Sequence, residues 1–153
     1  MKRNRAVAIV IHDDGLLVIH RRSEGHEYYT LPGGGVEQHE TIEQAIAREL
    51  QEEASLDITV GRRIYEHHYD DGTSQFFYLC HYVSGIPQLA SNAPERQAKR
   101  GLHQPMWLPL KLLSGTLLYP LEIRDWIMQD LVLGFPQEVR AAKLSVGQLR
   151  QTI

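Results

Sequence analysis

Residues 33–56 read Gly-Gly-Gly-Val-Glu-Gln-His-Glu-Thr-Ile-Glu-Gln-Ala-Ile-Ala-Arg-Glu-Leu-Gln-Glu-Glu-Ala-Ser-Leu, a glycine run leading into a segment that closes on glutamates. Thr41 followed by Gln44 has the form of a capping box, in which each side chain satisfies a free backbone N–H at a helix start. Behind it Ile42, Ala45, Ile46, Leu50 and Ala54 fall on one side of a 3.6-residue wheel, so the segment predicts an amphipathic helix. At about 100° per residue, Glu49, Glu53 and Glu52 lie at roughly 0°, 40° and −60° on that wheel. Ile42, Ala45 and Ile46 lie at roughly 20°, −40° and 60°, so carboxylates and apolar residues share a side.

That placement is costly. Charges near a buried face need a partner or a metal, and anions in the last turns oppose the helix dipole, negative at its C-terminal end. Glu-rich helices are more often solvated surfaces, but here the glutamates do not sit opposite the apolar stripe. A divalent cation resolves both costs. Oxygen ligands without Cys or paired His point to Mg²⁺ or Mn²⁺ rather than Zn²⁺.

Gly34, Glu40, Arg48, Glu49, Leu50, Glu52, Glu53 and Leu56 have the order and spacing G-x5-E-x7-R-E-U-x-E-E-x-G-U, with U a bulky apolar residue. The segment resembles the Nudix box. At an average usage of about one in fifteen per residue, its fixed positions arise by chance in roughly one window in ten million. Ser55 departs from the pattern, standing where the family has a glycine that ends the helix in a left-handed turn. His39 replaces a glycine common just before the first glutamate. The resemblance implies a Nudix-type α/β/α sandwich with a mixed sheet between helices. It also implies that Glu49, Glu52 and Glu53 are catalytic and hold metal, with the carbonyl of Gly34 as a further ligand. Arg48 and Glu40 would form a supporting salt bridge between loop and helix.

The rest of the chain supplies candidates for the substrate. Ala6 to Ile11 and Leu16 to Ile19 are apolar, β-branched runs around the turn residues Asp13, Asp14 and Gly15, which predicts a hairpin buried on both faces. Arg21 and Arg22 leave the second strand and are candidate phosphate ligands. Residues 27–31 predict a short strand before the glycines, which are read as a loop that lets backbone approach a ligand or metal. Residues 58–69 and 74–83 predict a second hairpin around Asp70, Asp71 and Gly72. His67 and His68 are adjacent, so on a strand they face opposite sides and make no joint metal site. Residues 84–101 form a polar, turn-rich loop. By a looser resemblance, Glu95 within it would reach the metals or the substrate. Residues 106–110 predict a strand carrying Trp107, and residues 120–133 a closing helix that buries Leu121, Ile123, Trp126, Ile127 and Leu131.

At 153 residues the chain fits one domain over 1–133, with 134–153 a tail, helical or extended, that packs on the domain or on a partner subunit of a homodimer. A formal net charge of −3 leaves no basic footprint for nucleic acid. The early apolar run is too short for a signal peptide and no run is long enough to span a membrane. The single Cys80 excludes an internal disulfide and fits a reducing cytoplasm; it sits in a strand expected to be buried, which argues against catalysis.

The resemblance, with the carboxylates read above, implies a Mg²⁺-dependent hydrolase of a nucleoside diphosphate linked to a further group. The metal would activate a water for attack on phosphorus, with Glu49 as general base and Glu95 as the alternative. Nucleoside triphosphates are the default substrate, with diadenosine polyphosphates and nucleotide sugars behind them. A catalytically silent nucleotide-sensing module is the alternative; loss of a helix glutamate would favour it, and none is lost.

Overall fold

The computed structural model describes residues 3–89 and 101–146. The strands are β1 (Arg5–His12), β2 (Gly15–Ser23), β3 (His26–Thr30), β4 (Gly33–Gly35), β5 (Asp57–Tyr69), β6 (Ser74–Ser84), β7 (Leu102–Pro109), β8 (Leu118–Tyr119) and β9 (Arg140–Leu144). Helix α1 (Ile42–Ala54) follows β4, and helix α2 (Leu121–Leu133) follows β8. The strands form one mixed sheet in the order β8-β3-β2-β1-β6-β5-β9, with β4 also on β1 and β7 also on β2. A strand shows alternate residues to opposite faces, and β1 uses this to serve two cores. Val7 and Ile9 join Ile123 and Ile127 of α2. Ala6, Ala8 and Val10 join Ala45, Ile46 and Leu50 of α1. The uninterrupted apolar run of β1 is therefore the signature of a strand covered by a helix on each side.

The expected hairpin forms, with both central residues, Asp13 and Asp14, at positive φ (49° and 58°), as a tight primed turn demands. It pairs only at its tip, through Ile11 with Leu16 and His12 with Gly15. Beyond that β2 diverges to pair with β7 and β3. The glycine run fills the edge of β1 that β2 leaves open. Gly33, Gly34 and Gly35 pair antiparallel with Val7, Ala6 and Arg5, so the run expected as a loop is a short strand. The approach is too close for side chains: a Cβ on Gly33 would lie 2.3 Å from the Ala6 carbonyl oxygen.

Helix α1 starts on the capping box: Gln44 N–H donates to Thr41 Oγ1 (3.1 Å) and Thr41 N–H to Gln44 Oε1 (2.9 Å). It ends at Ser55, whose φ of 57° and ψ of 36° are left-handed. His39 is also at positive φ, 68°. Both departures from glycine therefore fall where the backbone favours glycine. The left-handed conformation costs a non-glycine residue about 1–2 kcal/mol, partly offset because glycine loosens the unfolded chain by about 0.4–1 kcal/mol. Ser55→Gly should raise Tm by roughly 1–4 °C in a thermal melt at unchanged activity; an unchanged or lowered Tm would remove the strain argument.

Strands β5 and β6 form the second hairpin through a turn in which Gly72 N–H donates to the Tyr69 carbonyl. His67 is fully buried while His68 is part-exposed and bonds Ser74 and Glu66, in keeping with opposite faces. Cys80 is buried, and burial pushes its thiol pKa up to about 12, so it is a poor nucleophile. In α2 the expected stripe shifts. Ile123 and Ile127 are buried, but Leu131 is 37% exposed and Asp130 takes the inward place at 2%. Tyr65 donates its hydroxyl to Asp130 Oδ2, and Arg140 Nη2 lies 3.0 Å from Asp130 Oδ1. Arg140 belongs to β9, which runs parallel to β5, so this part of the tail is an edge strand of the sheet. No helix among the described residues is long and apolar enough to cross a membrane.

Candidate active site

The site lies where α1 passes over β4, and Arg48 is its hub. Its guanidinium makes a two-pronged contact with Glu40, from Nε to Oε2 (2.7 Å) and from Nη2 to Oε1 (3.0 Å). Nη2 also donates to the Gly35 carbonyl (3.1 Å), and Nη1 to Glu49 Oε1 (2.9 Å) and Glu52 Oε2 (3.4 Å). One cation thus ties the approach to the helix, the glycine strand and two helix carboxylates together.

The three glutamates differ in depth. The side chains of Glu53 and Glu49 are 8% and 12% exposed, whereas that of Glu52 is 41% exposed at the rim. Glu53 is gripped at both oxygens: Gly33 N–H donates to Oε1 (2.8 Å), and His103 Nε2 lies 3.1 Å from Oε2. Glu49 has its pKa raised, first by burial and then by the negative charge of Glu53, against the lowering pull of Arg48. Gly34 meets it directly. A Cβ there would sit 2.3 Å from Glu49 Oε1, so a side chain at this position would have to displace the carboxylate that Arg48 holds.

Strand alternation separates the two candidate arginines. Leu17 packs in the α1 core while Leu16 and Val18 pack in the α2 core, so Arg21 belongs to the α1 face and Arg22 to the other. Arg21 stands directly opposite His103 in the β2–β7 pairing, which puts its Cβ on the side of Glu53. Its Nε is buried with no hydrogen-bond partner among the described residues. The side chain of Arg22 is 58% exposed and lies 4.0 Å from Glu27. Glu95 lies outside the described residues. His103 escaped the sequence reading because a lone histidine four residues before Trp107 carries no metal-ligand spacing. Only the fold brings it across 50 residues to Glu53.

The Glu40–Arg48 pair has a consequence in acid. The hydrogen bonds from Arg48 outweigh the effect of burial and bring the Glu40 pKa from 4.5 down to about 2. A carboxylate depressed in the folded state stabilises the fold above its unfolded pKa and loses that contribution as pH falls through the folded one. Tm should therefore drop between about pH 4.5 and pH 2, and Glu40→Gln should flatten the drop in that window. An equal slope in the variant would contradict the assignment.

The donor set fits a hard divalent cation. Its candidate ligands are carboxylates and backbone carbonyls, and the two deepest carboxylates, Glu49 and Glu53, lie close enough for the Glu53 charge to act on Glu49, a repulsion that a cation would relieve. Among the described residues, however, no three acidic, histidine or cysteine side chains are grouped as a ready-made metal cage; the carboxylates are turned to Arg48, Gly33 and His103.

A mixed sheet between two helices, with an arginine-braced carboxylate cluster laid on a glycine strand, describes one class of protein. The chain belongs to the NUDIX domain family, whose pattern it matches over residues 2–129. Among particular relatives, the CTP pyrophosphohydrolase of Escherichia coli (strain K12) is 36% identical over 70 residues, covering 44% of this chain and 52% of that protein. The match thus spans about half of that relative's length. A NUDIX hydrolase from Nitrosomonas europaea superposes with a TM-score of 0.73 at 15% identity, over 94% of this chain and 78% of its own. A MutT NUDIX hydrolase from Burkholderia pseudomallei gives 0.52 at 26% identity, over 71% and 84%.

Proposed function

We propose that the protein is a Mg²⁺- or Mn²⁺-dependent pyrophosphohydrolase of small nucleotides, with nucleoside triphosphates as its substrates. The observation that carries this reading is the placement of Glu49 and Glu53, both nearly buried, against the backbone of β4 with Glu52 at the rim. Glu49, Glu52, Glu53 and the Gly34 carbonyl would hold the cation. Bound there, the cation would neutralise diphosphate oxygens and lower the pKa of a water. Glu49 would take the proton of that water as general base, with Glu95 as the alternative. Arg21, on the same face as Glu53, would pair with a phosphate through its guanidinium. Arg48 would keep β4, Glu40 and Glu49 in register, a supporting task. A reducing cytoplasmic setting fits the buried, unpaired Cys80.

The name of the Escherichia coli relative puts CTP at the head of a substrate panel, followed by the other triphosphates, diadenosine polyphosphates and nucleotide sugars. Incubation with protein and Mg²⁺ should convert at least one triphosphate to monophosphate and pyrophosphate. Recovery of every compound intact, with Mg²⁺ and with Mn²⁺, would sink the reading.

A further inference from the structure

His103 is 7% exposed and sits on β7, yet neither apolar cluster contains it. A buried imidazole needs a hydrogen-bond partner, and His103 has one in the Glu53 carboxylate, 3.1 Å from its Nε2. Glu53 itself projects from α1, and its other oxygen is taken by the Gly33 N–H of β4 at 2.8 Å. Three separate elements therefore set the orientation of one carboxylate. Glu49 and Glu52 are held differently, both by the Arg48 guanidinium of their own helix. A carboxylate with a donor on each oxygen cannot rotate about its last bond without breaking one of them. Its unused lone pairs keep one direction.

We propose that His103 is a positioning residue for the cation site, its Nε2–H fixing Glu53 so that the carboxylate meets the metal already oriented. This rests on Glu53 being a metal ligand. Outer partners of ligating groups set affinity, and removing one typically costs about 10–100-fold. A histidine that only fills space would affect stability alone.

The test measures binding of Mn²⁺ alone, by the electron paramagnetic resonance of the free ion, in folded full-length variants. His103→Leu keeps much of the volume and loses the donor; it should weaken Mn²⁺ binding about 10–100-fold. His103→Gln places an amide N–H near the position of Nε2 and should stay within about threefold of wild type, well short of that loss. His103→Asn is polar but too short to reach, and should behave as Leu does; it also serves if the Leu variant fails to fold. Wild-type affinity in the Leu or Asn variant overturns the inference, as does an equal loss in Gln and Asn. Glu53→Gln is the control. If it binds Mn²⁺ as wild type does, the ligand assignment itself fails. If it loses binding while the His103 variants keep theirs, only the role of His103 falls.

Discussion

Glu53→Gln is expected to fold as the wild type does and to lose Mg²⁺-dependent hydrolysis by on the order of 10²–10³-fold, the equivalent of several kcal/mol of charge stabilisation by the metal. The reason lies in the two contacts of this side chain. Glutamine can keep its carbonyl oxygen on the Gly33 N–H and turn its amide toward His103 Nε2, with the imidazole in its other tautomer. The shape and both hydrogen bonds survive. The charge does not, and it sits in a nearly dry position, where a hard cation depends on it most. Relief of like-charge repulsion should also lower the pKa of Glu49, because the Glu53 charge is one of the causes that raise it. A thermal melt at or above the wild-type Tm, with turnover at saturating Mg²⁺ reduced as stated, is the predicted pair of results. Unchanged turnover would remove Glu53 from the metal site.

The second large effect falls far from the site. Asp130→Ala should destabilise the protein by about 3 kcal/mol, since removing one partner of a buried ion pair leaves its neighbours unpaired at a cost of about 3–5 kcal/mol. The lower end applies because Arg140 remains about a third exposed and can rehydrate. The Tyr65 hydroxyl cannot, being fully buried. Its phenol pKa is already pushed up by burial and by Asp130, so it stays a neutral donor with nowhere to donate once the carboxylate is gone. At about 2–4 °C per kcal/mol, Tm should fall by roughly 6–12 °C. Tyr65→Phe leaves Asp130 with Arg140 and should cost only about 1–2 kcal/mol. If the two variants melt alike, Arg140 contributes nothing to the anchor that joins α2, β5 and β9.

Much of this structure could be read from local pattern. The capping box placed the start of α1 because its partners are three residues apart. Both hairpins were legible from aspartate and glycine at turns, and the two-sided burial of β1 from its unbroken apolar run. The wheel put the glutamates on the protein side, and Glu49 and Glu53 do face inward, with Glu52 at the edge. Ser55 and His39 were marked as substitutions for glycine, and each adopts the left-handed backbone that makes glycine the easier choice.

What was missed depends on contacts between distant segments. Three glycines carry no strand propensity, and they become β4 only because β2 diverges from β1 and leaves an edge to pair with. Asp130 turns inward against its own helix pattern because β9 returns Arg140 to meet it. Alternation says that Arg21 and Arg22 oppose each other, but which of them shares a face with Glu53 follows from where α1 packs. His103 is recognisable only beside the carboxylate it holds. By itself the sequence determined the helix and its charge, since each is encoded within a few turns of chain. The tertiary structure alone decided how each carboxylate is held, because the Gly33 and His103 groups that grip Glu53 come from strands 20 and 50 residues away, and no local periodicity spans that separation.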